Sequence, residues 1–348
     1  MLMRLRFKLS KTTNHFFFVS NLAEWHHSCR PEYNSAWIAQ TGPLNSRERA
    51  ALERFRRLIQ QYGFGNKVSG RYLGVPFQTL SERDAWRATA EILTEEELLD
   101  LRAVFAIFKP RFEKVWQAAP RKSERIQPFA KFMSRKAGKT MLEDLQNIFG
   151  EQTSKIVTIV VLVSPLNQQA TAAGGANVGP DHVSLELPDL KSGTWQFAYS
   201  VGILAHEIAH LLFEERGGVK IVERVVKKLR WPQKVNLISL PVSRILNEGV
   251  IESFVPVGYL GQKYFREYLG PILLDNLDKG FIAAEKLMRG SPVRYYNHLN
   301  RYLLWQMYPL ALIYARGHRR IDMAYVSAVG KVLKKLLNNS AGRISSTR

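Results

Sequence analysis

An eight-residue apolar run, Ile156–Val163, most constrains the fold of this 348-residue chain. Its sequence, Ile-Val-Thr-Ile-Val-Val-Leu-Val, is rich in β-branched side chains, which favour extended backbone. Pro165 follows closely and should end the strand, because proline has no backbone N–H to donate to a neighbouring strand. The run predicts a buried central strand, and it is too short for a membrane-spanning helix, which needs about 20 apolar residues.

Two further segments alternate apolar and polar residues, a pattern typical of half-exposed strands. They are Met3–Leu9 and Val183–Leu187, and a glycine-rich turn is expected at Ala173–Asn177, before the second of them. Most of the remaining chain has apolar residues three and four apart, which indicates amphipathic helices. The sequence therefore predicts an α+β fold that is mainly helical, with a small mixed sheet.

Three kinds of local signal place the predicted helices. Thr94 and Glu97 have the spacing of a capping box, and Pro110 should disturb the helix that follows. Glycine pairs and prolines mark the ends of other apolar periodic segments. The further predicted helices run over Phe129–Phe149, from Trp195 to Glu215, and from about Pro241 to Pro256.

These elements divide the sequence into four segments. Residues 1–150 are predicted to form a mainly helical region that begins with a strand, and residues 151–260 a core of strands and two helices. A helical C-terminal lobe is expected over 261–338, followed by a flexible tail over 339–348.

Composition limits the kinds of site that the chain can carry. Cys29 is the only cysteine, which excludes a disulfide framework, a Cys-rich zinc finger and an iron–sulfur cluster. A single thiol favours a reducing compartment, and no signal-peptide pattern is present, so we expect a cytoplasmic protein without a membrane span. No phosphate-loop, dinucleotide-binding or nucleophile-elbow motif occurs.

Positive charge is concentrated at the two ends of the chain. The net charge is +20; the segment 1–80 holds 12 basic and 4 acidic side chains, and the segment 261–348 holds 15 and 5. Such a charge distribution could attract nucleic acid or acidic partners without specificity. A highly soluble surface with no dedicated anionic partner explains the same charge.

The sequence His206-Glu207-Ile208-Ala209-His210 lies inside the predicted helix Trp195 to Glu215. A spacing of four residues puts two imidazoles one helical turn apart on the same face, where they can share one tetrahedral Zn²⁺. Glu207 would then point toward a water molecule on the metal. The motif predicts a zinc site, although two histidines can also share a helix surface without binding metal.

A catalytic zinc site needs a third protein ligand and an open fourth position. The next histidine after His210 is the distant His298, but the following predicted helix carries Glu248 and, one turn later, Glu252. Two carboxylates on one face of an apolar helix are costly to bury unless a cation or a histidine proton compensates them. We therefore expect Glu248 to bind the metal and Glu252 to accept the outer N–H of His206; a solvated edge is the alternative.

The pattern His206-Glu207-x-x-His210 followed by Asn247-Glu248-x-x-x-Glu252 resembles the gluzincin clan of zinc metallopeptidases, which includes thermolysin-like and aminopeptidase-like enzymes. The resemblance covers roughly the segment 156–260. In that clan a strand that precedes the motif helix lies along the active site and pairs with the substrate backbone; Val183–Leu187 occupies the matching place. Two departures are Glu252, where many members have Asp, and a longer gap between the second histidine and the third ligand.

The resemblance implies hydrolysis of peptide bonds by a metal-activated water, with Glu207 as the general base. Zn²⁺ would be the cofactor, and a peptide or protein the substrate. Such sites usually need one more donor for the developing oxyanion. The candidates downstream are Tyr295, Tyr296, His298 and Tyr302.

Two other functions remain open from the sequence. One is a basic binding or scaffold protein in which the zinc site is structural or inactive. The other is a DNA-associated zinc protease, although such enzymes use a third histidine near the motif.

A further metal site at His26, His27 and Cys29 lacks a fourth donor.

Overall fold

The computed structural model describes residues 3–25, 29–62, 73–119, 122–150, 155–165, 174–230, 241–280, 282–283 and 295–344, and in the helices of 295–344 the side chains of 299–336. The chain forms two compact units. The sheet unit comprises Arg4–Phe132 and Ile156–Ser192, and the helical unit comprises Met1–Met3, Met133–Lys155 and Gly193–Arg348.

The sheet unit contains a four-stranded sheet with the order β1-β2-β4-β3. Strands β1, β2 and β4 are parallel, and β3 runs antiparallel to β4. Their bounds are β1 Arg4–Leu9, β2 Ile156–Val163, β3 Gly175–Gly179 and β4 His182–Leu187. β2 is an interior strand of this mixed sheet, which confirms the buried central strand that the β-branched run predicted.

Helices α1 to α6 belong wholly to the sheet unit. They are α1 Lys11–Leu22, α2 Pro31–Thr41, α3 Ser46–Tyr62, α4 Gly74–Thr79, α5 Glu82–Ala90 and α6 Glu95–Ala118, and the short helix Glu124–Ile126 follows them. Seven of the eight residues of β2 are buried. Asn14 of α1 fastens this helix to β2, because its Nδ2 donates to the carbonyl of Val161 and its Oδ1 accepts the N–H of Val163.

Two details of the sheet differ from the expectation. The segment Val183–Leu187 was matched to a strand that pairs with a substrate backbone, which requires a sheet edge, but it lies within β4, between β2 and β3, and the edge strands of the described sheet are β1 and β3. Part of the predicted glycine-rich turn is itself extended: Gly175–Gly179 forms β3 by pairing with β4. Local composition favoured a turn there, but backbone hydrogen bonds to a neighbouring strand override that preference.

Helix α6 was expected to be disturbed at Pro110, and that expectation was wrong. The helix continues to Ala118 through Pro110, which is exposed. Phe105, Phe108 and Phe112 are buried along one face of α6. Burial of these rings offsets the hydrogen bond that proline removes from the exposed side.

The helical unit is built from packed helices. These are α8 Lys136–Phe149, α9 Trp195–Glu215, α10 Gly218–Lys228, α11 Val242–Glu252, α12 Tyr259–Asp278, α13 Tyr295–Arg316 and α14 Met323–Ile344; α7, Gln127–Ser134, spans the division between the units. The single helix expected over Phe129–Phe149 is broken at Arg135, whose extended backbone separates α7 from α8. The bounds Trp195 to Glu215 agree with the prediction.

The observed architecture confirms the predicted fold class, a mainly helical α+β protein with a small mixed sheet. The compact units differ from the sequence segments, because the segment 156–192 belongs with Arg4–Phe132 rather than with the motif helix. Long-range strand pairing causes the difference, since β1 pairs with β2 from a distant part of the sequence. Helix α14 also continues to Ile344, into the segment expected to be a flexible tail. None of the described helices is long and apolar enough to cross a bilayer.

Candidate metal centre

Helix α9 holds both motif histidines. Thr194 caps its N-terminus by accepting the N–H of Phe197, and Gly217, with a left-handed φ of 84°, follows the C-cap residue Arg216. His206 and His210 are 7% and 5% exposed, on a helix whose inner face is apolar. Burial at spacing i, i+4 therefore presents two imidazoles to the same interior space.

Helix α11 packs against α9 and carries the acidic residues. Gly249 allows one side of α11 to approach α13 and α14, because a Cβ there would lie 3.0 Å from Val329 and 3.1 Å from Leu303. Glu248, next to this glycine, extends toward the two histidines, and its side chain is 19% exposed. Close packing of α11 against these helices fixes its orientation and with it the position of the Glu248 carboxylate.

Three potential ligand atoms converge. The Nε2 atoms of His206 and His210 are 3.0 Å apart, and Oε2 of Glu248 lies 3.4 Å from the first and 3.1 Å from the second. Zinc–ligand bonds of about 2.0 to 2.1 Å at tetrahedral angles would separate the ligand atoms by about 3.3 Å. The triangle therefore has the dimensions of one face of a zinc tetrahedron.

The electrostatic field at this point favours a cation. Burial alone would lower the pKa of His206, but the hydrogen bond with Glu248 and the carboxylates of Glu252 and Glu207 raise it to about 10. Burial would raise the pKa of Glu248, yet the two imidazoles hold it well below its usual range. Burial raises the pKa of Glu252, and the negative charges of Glu248 and Glu207 raise it further, to about 7. Such a buried cluster has an excess of negative charge that a divalent ion would balance.

The outer nitrogens of the histidines face groups that were not expected. Nδ1 of His206 lies 3.5 Å from the carbonyl oxygen of Val255, and no hydrogen bond joins His206 to Glu252 in the described part of the chain. Nδ1 of His210 lies 3.4 Å from the amide of Asn247. The Val255 carbonyl thus occupies the place that the sequence assigned to Glu252, which is buried close by and acts on His206 through its charge.

Asn247 also has one side-chain atom without a hydrogen-bond partner. Its Nδ2 donates to Glu214 at 3.4 Å, whereas its Oδ1 is buried without a hydrogen-bond partner. Amide oxygen and nitrogen exchange places when the terminal amide group is flipped. The flipped amide would offer Oδ1 as an acceptor to Nδ1–H of His210, which is the proton that an imidazole carries when it binds a metal through Nε2.

Glu207, the expected general base, is partly exposed on α9 between the two histidines in sequence. The negative charge of Glu207 raises the pKa of both His206 and Glu252. Partial exposure gives this carboxylate contact with solvent that the two imidazoles lack.

The structure tests the remaining candidates only in part. Tyr302 is buried on α13 against Trp305, with burial raising the pKa of its hydroxyl, and no hydrogen bond connects it to the described ligand residues. The side chains of Tyr295, Tyr296 and His298 lie outside the described residues, as do His26 and His27. Cys29 contacts the carbonyl of Ser20. Among the residues described, the one group of three metal-binding side chains is His206, His210 and Glu248.

No family model, curated protein or solved structure matches the chain. The gluzincin resemblance therefore rests on the motif residues alone and stays a prediction.

Proposed function

We propose that this protein is a zinc-dependent peptidase whose metal is held by His206, His210 and Glu248. The observation that carries the proposal is the triangle of ligand atoms with edges of 3.0, 3.1 and 3.4 Å. Two nitrogen donors and one carboxylate oxygen form a set that suits Zn²⁺, and three protein ligands leave a fourth position for water or substrate. Structural zinc sites use four protein ligands, so this donor set favours catalysis over a structural role.

The protein's own groups have separate tasks in this mechanism. When bound, zinc would supply a Lewis acid that activates water and polarises the amide carbonyl. Glu207 takes a proton from the attacking water at its carboxylate and delivers it to the leaving amine. The buried imidazoles exclude water from one side of the site, and the Val255 carbonyl and Asn247 orient them.

The substrate class follows from the same chemistry. A peptide or protein amide needs both carbonyl polarisation and protonation of a poor leaving group, which this arrangement of metal ligands and Glu207 can provide. A cytoplasmic location is part of the proposal, because the single cysteine fits a reducing compartment.

The test combines metal analysis with a substrate screen. Protein purified without chelators should contain about one zinc per chain, because the three ligands form one site. It should cleave members of a mixed peptide library, and a chelator should abolish the cleavage. Absence of zinc, or cleavage that persists after its removal, would overturn the proposal.

A further inference from the structure

Helix α10 presents a continuous basic stripe to solvent. Lys220, Arg224, Lys227 and Lys228 follow one another at positions i, i+4, i+7 and i+8, so they share one face of the helix, and all four are exposed. The opposite face, with Val222 at its centre, is buried in the helical unit. The stripe covers about 12 Å along the helix axis, at about 1.5 Å per residue.

Helix α14 extends this positive surface. The two helices pack closely, because a Cβ at Gly330 would lie 2.7 Å from the side chain of Leu229. One turn further along α14, Nζ of Lys334 donates to the carbonyl of Leu229 at 2.6 Å. Lys331 and Lys335 flank this contact and are exposed. The resulting basic face consists of Lys220, Arg224, Lys227, Lys228, Lys331 and Lys335.

Nearby acidic groups do not neutralise the basic face. In the part of the chain that the structure describes, none of its six side chains forms an ion pair or hydrogen bond, and helix α14 has no Asp or Glu in its sequence. Glu223 is the single acidic residue of α10. Other exposed cations of the molecule, such as Lys279 and Arg87, pair with carboxylates one helical turn away. The basic face therefore keeps its full charge for an external anion.

The shape and composition of the basic face indicate which kind of polyanion it suits. Helix α10 has no aromatic residue, and the one aromatic residue of α14, Tyr325, is fully buried, so these two helices offer no platform for stacking unpaired bases. Val219 is the one exposed apolar side chain of α10, and the others are buried or half-buried, so the helix has little free apolar surface to insert into a lipid bilayer. A straight row of cations without aromatic side chains best matches the regular phosphates of a duplex.

We propose that the basic face binds the phosphate backbone of double-stranded nucleic acid without reading its base sequence. The inference is independent of the metal site. It rests on the charges of α10 and α14, and it holds whether or not the chain hydrolyses peptides. The duplex would bind on the same compact unit as the candidate metal centre, because α10 follows α9 directly and α14 packs against α11.

The experiment measures binding of the full chain to a fluorescent duplex DNA of mixed sequence, by anisotropy, over a salt series. If all six cations contact phosphates, affinity should fall about 10³-fold between about 50 and about 200 mM salt. The variant with Lys220, Arg224, Lys227 and Lys228 all changed to Gln should bind more weakly. Its slope of log affinity against log salt should be smaller by about 0.9 for each lost contact, and by about 3 to 4 in total.

A matched control separates local contacts from net charge. The control changes Arg47, Arg57, Lys109 and Lys114 to Gln; these are exposed cations of the sheet unit, and the loss of charge is the same. We expect its salt slope to stay close to that of the wild type. Replacing Lys220, Lys227 and Lys228 by Arg should also preserve the slope. Unchanged thermal unfolding and zinc content would show that each variant is folded.

Three results would overturn the inference. The first is an equal loss of slope in the α10 variant and the control. The second is tighter binding to oligothymidine than to duplex, which would indicate base stacking. The third is binding to phosphatidylserine vesicles without binding to duplex at low salt, which would make the basic face a lipid-binding surface. A Glu207→Gln variant that is inactive but binds duplex normally would separate this inference from the proposed peptidase activity.

Discussion

The Nε2 atoms of His206 and His210 lie 3.0 Å apart inside the protein. At this distance the two nitrogens can share one proton or one cation, but two protons between them would repel each other. Oε2 of Glu248 approaches both nitrogens, and a single divalent ion can satisfy all three atoms together. This relationship gives the first prediction, on which the other predictions about the metal site depend.

Replacing Glu248 by Ala should remove most of the zinc, because two imidazoles alone hold the metal weakly and the carboxylate supplies the neutralising charge. His210→Ala should have the same effect. His318→Ala is the matched control: His318 lies in the turn after α13, is exposed, and should leave the zinc content unchanged. Metal analysis of the purified variants measures the result. Loss of zinc in the control with retention in Glu248→Ala would show that the ligand set is wrong.

Replacing Glu207 by Gln should abolish peptide hydrolysis and leave zinc in place. The amide keeps the shape of the side chain but cannot take up the proton, and general acid–base groups typically contribute about 10²- to 10⁴-fold to the rate. Turnover of a peptide found in the library screen and zinc content would be measured on the same sample. Near-normal turnover in this variant would assign proton transfer to a different residue.

Replacing Asn247 by Ala should weaken zinc binding by about 10- to 100-fold, because His210 would lose the group that faces its outer nitrogen. Glu252→Gln provides a comparison. The Glu252 carboxyl acts on the imidazoles through charge rather than through a hydrogen bond, so we expect a smaller loss. Competition with a zinc chelator measures both affinities. A larger loss in Glu252→Gln would restore the orienting role that the sequence suggested for Glu252.

A prediction independent of metal concerns Glu48 and Arg111 in the sheet unit. Nε of Arg111 donates to Oε1 of Glu48 at 2.5 Å, and the same guanidinium bonds the carbonyls of Gly42 and Pro43. Burial would raise the pKa of Glu48, but Arg111 and the backbone N–H of Asn45 lower it below the ordinary value of 4.5. The charged form is therefore stabilised by folding. Ionised Glu48 contributes fully to the free energy of unfolding above about pH 4.5, and this contribution is lost as the pH falls through the pKa of Glu48 in the folded protein.

Glu48→Gln should accordingly lower the free energy of unfolding by about 2 kcal/mol at neutral pH, because it removes the counter-charge of a partly buried guanidinium. The difference from the wild type should shrink on acidification. Denaturant unfolding at several pH values measures it. Glu53→Gln is the control, since Glu53 forms an exposed pair with Arg56, and we expect an effect within about 0.5 kcal/mol. A loss that did not depend on pH would rule out the ion pair as its cause.

The sequence predicted the local parts of this architecture well, because they depend on neighbouring residues. Trp195 to Glu215 is a helix with the expected bounds, and four-residue spacing brought His206 and His210 together. Glu248 lies on a different helix; the cost of burying carboxylates on an apolar helix and the gluzincin resemblance together pointed to it, and its carboxylate lies beside both imidazoles.

Features that depend on distant contacts could not be predicted in this way. The order of the strands places Val183–Leu187 inside the sheet, which no local pattern specifies. The partner of His206 is a backbone carbonyl, that of Val255, and a carbonyl has no sequence signature. Pro110 stays within α6 because buried phenylalanines fix the helix on both sides of it, and that burial depends on the tertiary fold.

The candidate metal centre should be sensitive to substitution of Gly249, although this residue is not one of its ligands. A methyl group at this position would lie 3.0 Å from a side-chain atom of Val329 and 3.1 Å from one of Leu303, so either these side chains or α11 would have to shift slightly. A shift of α11 would alter the distances from Glu248 to the two imidazoles, and the separation of ligand atoms around an ion scales with the length of the metal–ligand bond. We therefore expect Gly249→Ala to change the relative affinity of the candidate metal centre for zinc and for larger divalent ions.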